Sequence, residues 1–225
     1  MQFKIATVIG ATGMIGNHLL QLLLKDTSIK TVRIIVRREV PSIAPNLEVR
    51  VIDFNNPEAL KAAIMGSEVV FCTIGTTQKA VGGNKSLYRK IDFDIPVTAA
   101  KFCKETGCEN FVLVSSIGAD TKSNTFYLKL KGEVEEAVKN TGIKRIQIMQ
   151  PSMLLGHRTE KRAGEKIFQK IMVSITSLFL GKFKKYKAIE AFVVAKAMLT
   201  AAKNELPGTF IYQYQDIVEL ANKMM

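Results

Sequence analysis

Tyr127 and Lys131 stand four residues apart, the spacing that puts two side chains on one face of a helix. An ammonium beside a phenol favours the phenolate, which lets a tyrosine give and take a proton near neutral pH. Eleven residues before Tyr127 comes Ser116, preceded by Ser115, at the end of an apolar run. A hydroxyl at that place can hold a substrate oxygen by a hydrogen bond. Ser116, Tyr127 and Lys131 are therefore the candidate catalytic set, with Tyr127 as the proton donor or acceptor. The Tyr–Lys spacing alone recurs by chance in many proteins. Its weight here comes from what precedes it in the chain.

The first apolar run leads into Gly10-Ala11-Thr12-Gly13-Met14-Ile15-Gly16. Glycine at the first position allows a tight turn without a Cβ clash. At the second it lets backbone approach a pyrophosphate, and at the third it lets the next helix pack near the strand. A helix starting there offers the unpaired N–H groups of residues such as Thr12, Gly13, Met14 and Ile15 to phosphate. The bland alternative is a tight strand-to-helix connection with no ligand.

The second apolar run ends in Val36-Arg37-Arg38. An NAD site places a carboxylate at this point to accept from the ribose 2′-OH, whereas guanidiniums suit a 2′-phosphate. NADP(H) is expected over NAD(H), with Arg37 the more important of the pair. The third run ends in Asp53-Phe54, where Asp53 either accepts from an adenine amino group or caps a turn before Pro57. The fourth reaches Gly75-Thr76, where glycine lets backbone pass close to the cofactor.

These residues must be positioned by alternating elements. Strands are expected at Phe3–Ile9, Val32–Val36, Leu47–Ile52, Val69–Ile74, Asn110–Ser115 and Ile143–Met149, with an edge strand at Thr209–Tyr212. Helices are expected at Met14–Lys25, Pro57–Met65, Tyr88–Thr106, Lys129–Asn140 and Phe192–Ala202, with Pro96 kinking or delaying the third. Short apolar strands separated by helices imply an α/β, doubly wound, mostly parallel sheet buried on both faces. Ligands then sit at the C-terminal ends of the strands, where each motif above falls.

Together the glycine turn, Ser115-Ser116 and the Tyr127/Lys131 pair resemble the short-chain dehydrogenase/reductases, which have a Rossmann fold. Finer segments resemble the atypical, NADPH-binding subgroup that contains the Tat-interacting protein. They are Thr73 to Thr77, Ser115 to Asp120, Tyr127 to Glu135 and Pro151 to Gly156. The resemblance implies an NADP(H)-dependent oxidoreductase, a carbonyl reductase, with an intact Ser/Tyr/Lys set. It implies Lys131 on the nicotinamide ribose, Pro151 and Ser152 beside the nicotinamide, and Ser116, more than Ser115, beside the reacting carbonyl. Ser115 falls to the cofactor side. Gln150 departs from the family, many of whose members have Arg there. The resemblance supplies neither a substrate nor the Tat-interacting relative's regulatory partners.

The 225 residues, 47% of them hydrophobic, suit one domain, with 151–225 as the substrate side. Cys72, Cys103 and Cys108 lack paired metal-ligand spacing, and His18 and His157 lie far apart, so no metal or disulfide framework is expected. With no signal-like segment and no run long enough to span a bilayer, a cytoplasmic protein is expected. The net charge of +12 divides as +6 over residues 1–150 and +6 over the shorter 151–225. No aromatic-interleaved basic platform accompanies it, so nucleic acid is not an expected partner. Residues 166–187 form a basic amphipathic stretch that reads as a core-facing helix, a lid or a peripheral membrane contact. The competing functions are a nucleotide-sugar epimerase, for which 225 residues leave little room, and a sensor in which the cofactor is structural. Oligomeric state is open.

Overall fold

The structure is a computed structural model that describes residues 2–155 and 187–223. Seven strands form one sheet: β1 (Phe3–Ile9), β2 (Ile29–Val36), β3 (Leu47–Val51), β4 (Val69–Cys72), β5 (Asn110–Val114), β6 (Arg145–Met149) and, after the two-residue strands β7 (Leu154–Leu155) and β8 (Ile189–Glu190), β9 (Gly208–Tyr212). Their order is β3-β2-β1-β4-β5-β6-β9, and every neighbouring pair is parallel. The strand order reverses between β1 and β4. β7 and β8 pair separately.

Helices cover both faces, as a parallel sheet requires. On one face α1 (Met14–Lys25), α6 (Ala191–Ala202) and α7 (Tyr214–Asn222) pack on Ala6, Val8, Phe71, Val112 and Met149. On the other, α2 (Pro57–Ile64), α4 (Ile95–Glu105) and α5 (Phe126–Lys139) pack on Ile9, Val70, Phe111, Leu113 and Ile148. Alternation along β4 and β5, and along the C-terminal halves of β1 and β2, divides the apolar side chains between these layers. Among the described residues no helix is long and apolar enough to cross a membrane.

Two expected helices differ in the structure. The one expected over Tyr88–Thr106 is α3 (Lys85–Arg89), a π-helical turn at Lys90–Asp94, and α4, with Pro96 in the first turn of α4 directly after the π-helical turn. The one expected from Lys129 begins at Phe126, so Tyr127 and Lys131 occupy successive turns of the same helix. The 156–164 loop and nearly all of the 166–187 stretch lie outside the described residues.

Candidate functional site

In-register parallel pairing brings the strand C-termini to one edge: Ile9 faces Ile35 and Cys72, and Val114 faces Met149. Gly10 turns the chain out of β1 with φ +90°, a left-handed conformation. A Cβ there would stand 2.8 Å from Thr73 Oγ1 and 2.9 Å from Ile74 N. The Thr73 hydroxyl donates to the carbonyls of Ile9 and Gly10, clamping the turn from β4. A Cβ at Gly16 would lie 2.1 Å from the Gly10 carbonyl oxygen, so only glycine lets α1 start this close to the strand. Gly13 caps α1 without a side chain, and the first turn holds no acidic residue. The Gly13 N–H, expected to be unpaired, is taken by the Gly10 carbonyl at 2.9 Å because the turn closes on itself, so what is left for an anion is the first turn of α1 with its positive dipole end. These features fit a dinucleotide pyrophosphate. Thr12 and Gly13 are exposed, Met14 is half-buried, and Ile15 and Gly16 are buried under them.

Arg37 and Arg38 follow β2 directly, both exposed, and neither makes an ion pair with any described residue. Asp53 is exposed and its Oδ1 accepts from Asn55 N at 2.9 Å, the turn-capping alternative. Asn56, not Asp53, caps α2, accepting from Ala59 N. Phe54 packs against the core layer under α2. Gly75 is exposed, and Thr76 is half-buried with its carbonyl held by the Tyr88 hydroxyl at 3.2 Å.

Tyr127 is 39% exposed, whereas Lys131 is buried one turn below it. The Lys131 Nζ stands 6.0 Å from the Tyr127 ring centroid and 3.1 Å from Asp92 Oδ1. Asp92 Oδ2 accepts from Thr76 N at 2.7 Å. Burial outweighs the pull of Lys131 and raises the Asp92 carboxyl. Burial alone would lower Lys131, but the charges of Asp92 and Tyr127 and the hydrogen bond it donates to Asp92 together raise it. Burial also pushes the Cys72 thiol beneath them up to about 12, and raises the Tyr88 phenol. The loop from Ser116 reaches the first turn of α5, where Asp120 N donates to the Leu128 carbonyl.

The two adjacent serines point to different partners. Ser116 is half-buried, its hydroxyl 3.3 Å from the neighbouring Ile117 carbonyl. Ser115 is buried and donates to Glu135, which also accepts from Gln150 Nε2 at 2.9 Å. Gln150 in turn accepts from Gln213, the residue before α7. Gln150 thus serves a buried network between β5, α5, β6 and α7, and the Ser115 hydroxyl belongs to it. Pro151 is buried and its carbonyl accepts from Ile117 N at 3.0 Å, while the Ser152 hydroxyl donates to the Lys187 carbonyl. Asp92 and Glu135 were not among the candidates from sequence. For Asp92 a signal existed: it shares a helical stripe with Tyr88, Ile95 and Ala99, all buried, and a carboxylate on such a stripe needs a buried partner.

A protein-family model described as NAD(P)H-binding matches residues 10–178, from the glycine turn onward. The chain belongs to this family. Protein HTATIP2 of Rattus norvegicus is 32% identical over 202 residues, 88% of this chain and 81% of that protein. Protein fmp52, mitochondrial, of Emericella nidulans is 31% identical over 207 residues, 89% and 88% of the two chains. These likenesses bear out the atypical short-chain dehydrogenase/reductase resemblance. Among solved structures, the UDP-N-acetylglucosamine 4-epimerase of Methanobrevibacter ruminantium M1 superposes with a TM-score of 0.71 at 18% identity, over 95% of this chain and 77% of that one. MoeE5 in complex with UDP-glucose and NAD gives 0.69 at 15% identity, over 98% and 81%. At such identities the NAD(P)H-binding family member shares their fold, a Rossmann sheet.

Proposed function

We propose that the protein is an NADP(H)-dependent oxidoreductase that reduces a carbonyl or similarly polarised small molecule. The observation that carries this reading is the Tyr127/Lys131 pair on successive turns of α5, at the same sheet edge as the glycine turn. Gly10, Gly13 and the first turn of α1 would hold the pyrophosphate. Arg37 and Arg38 would pair with the 2′-phosphate, with Gly75 and Thr76 along the ribose side and Pro151 and Ser152 beside the nicotinamide. The dinucleotide supplies the hydride when bound. Ser116 would orient the substrate oxygen, Tyr127 would deliver the proton, and Lys131 would hold the ribose and stabilise the phenolate left on Tyr127. That the epimerase structures share the fold keeps sugar-nucleotide chemistry as a second reading.

A carbonyl-substrate screen that follows NADPH consumption tests this in wild type and Tyr127→Phe. Loss of the proton donor lowers the rate by about 10²–10⁴-fold while cofactor affinity holds. Equal consumption in the two forms would rule out Tyr127 as the acid and favour a cofactor sensor.

A further inference from the structure

At the sheet edge opposite the candidate site, the last turn of α4 and the start of β5 bring two cysteines together. Thr106 ends the helix and Gly107 turns it with φ +79°. The Cys108 N–H then returns to the Cys103 carbonyl at 2.8 Å, and the Gly107 N–H to that of Lys104 at 3.4 Å. This pair of bonds is the helix stop in which the side chains on either side of the turn meet. Backbone bonding this close limits the two Cα atoms to about 6.7 Å apart, inside the roughly 4.4–6.8 Å that disulfides span. Both side chains are buried in the same apolar layer. The Cys103 thiol bonds to the Cys108 sulfur, which lies 3.5 Å from the Asn110 carbonyl oxygen. Their cover is one turn thick: Lys104, Glu105 and Gly107 are exposed, and a Cβ on Gly107 would meet nothing within 4 Å.

We propose that Cys103 and Cys108 are a reversible disulfide site, closed by a small peroxide, that staples the end of α4 to the start of β5. The proposal is independent of the oxidoreductase reading. The thiolate is the attacking form of a cysteine. The bond from Cys103 and, more weakly, the charge of Arg145 favour that form at Cys108 against its burial. Burial keeps the other two as thiols, pushing Cys72 up to about 12 and raising Cys103 as well. The Cys108 sulfur therefore attacks one peroxide oxygen, the O–O bond breaks, and a sulfenic acid and a water form. The Cys103 sulfur then attacks the Cys108 sulfur, and its proton leaves with the sulfenic hydroxyl as a second water. Two thiols and one peroxide become one disulfide and two waters, with two electrons passing from the sulfurs to the peroxide.

The test treats the reduced full chain with hydrogen peroxide under native conditions and stops the reaction with catalase. The protein is then denatured and titrated with an aromatic disulfide reagent. Three thiols before treatment become one after it, and dithiothreitol restores all three. Trypsin cuts after Lys101, Lys104 and Lys122, so the bond links peptide 102–104 to peptide 105–122, a species read by mass. Cys72→Ala forms the same link as wild type, and Cys103→Ala forms none. Met65, 59% exposed, reports through its sulfoxide that the peroxide has acted. Oxidised Met65 with all three thiols intact overturns the proposal. So does a link that includes Cys72, or a loss of thiols to sulfinic acid without any link. Wild type alone decides each of these outcomes, whether or not a variant folds.

Discussion

Arg37 and Arg38 leave β2 exposed and without an ion-pair partner among the described residues, and the proposed reading assigns them to a 2′-phosphate. A charged hydrogen bond contributes about 1.5–3 kcal/mol, equivalent to roughly 10–100-fold in affinity. Arg37→Asp is therefore expected to weaken NADPH by that factor and NADH far less, as measured by isothermal titration calorimetry. Equal weakening of both cofactors would remove Arg37 from the 2′-phosphate. Their place was legible because it is local: two guanidiniums after an apolar run come out of the strand exposed in the fold as well. Ser115 was not. Its neighbour Ser116 has the same hydroxyl, and only the pleat decides that Ser115 turns inward to Glu135.

At the scale of elements, α5 presents its hydroxyl and ammonium only because Gly132 lets the helix lie against the loop from Ser116. A Cβ on Gly132 would stand 2.4 Å from both Asp120 C and Thr121 N, which are backbone atoms and cannot rotate away. Alanine would favour the helix by about 1 kcal/mol, while overpacking costs about 1–3 kcal/mol. With a contact this short the clash wins, so Gly132→Ala should lower the midpoint of urea unfolding and slow turnover. A higher midpoint would show that the loop yields freely. The π-helical turn was illegible for a related reason. Tyr88 to Thr106 has the periodicity of one helix, and the Asp92 carboxylate on the extra turn meets Lys131 and Thr76 only in the fold.

For the molecule as a whole, Lys203 after α6 reaches Asp26 after α1 at 2.7 Å, joining the ends of two helices on one face. Burial alone would raise Asp26, but bonds from Lys203 and Ser28 outweigh it and hold the carboxyl below the ordinary carboxylate range. A depressed carboxyl contributes stability above its unfolded value, near pH 3.9, and loses that contribution as pH falls through the folded value. Lys203→Met is thus expected to cost up to about 1 kcal/mol at pH 7 and progressively less as the pH falls below the ordinary carboxylate range, read from thermal melts across that range. A cost independent of pH would mean lost packing instead. Cys72, Cys103 and Cys108 are all buried. An aromatic disulfide reagent should titrate none of the three thiols in the native protein and all of them in denaturant. Rapid native labelling would signal local opening of the sheet.

Period and local sterics carry the parallel strands from short apolar runs, the turn at Gly10 and the shared helix face of Tyr127 and Lys131, and all of these can be read from the residues alone. Which polar groups meet once buried depends on the folded chain instead. Asp92 with Lys131 and Thr76, and Ser115 with Glu135 and Gln150, join segments 15 to 39 residues apart. The pairing follows from desolvation, because a buried charge or hydroxyl must find whichever partner the folded chain brings to it.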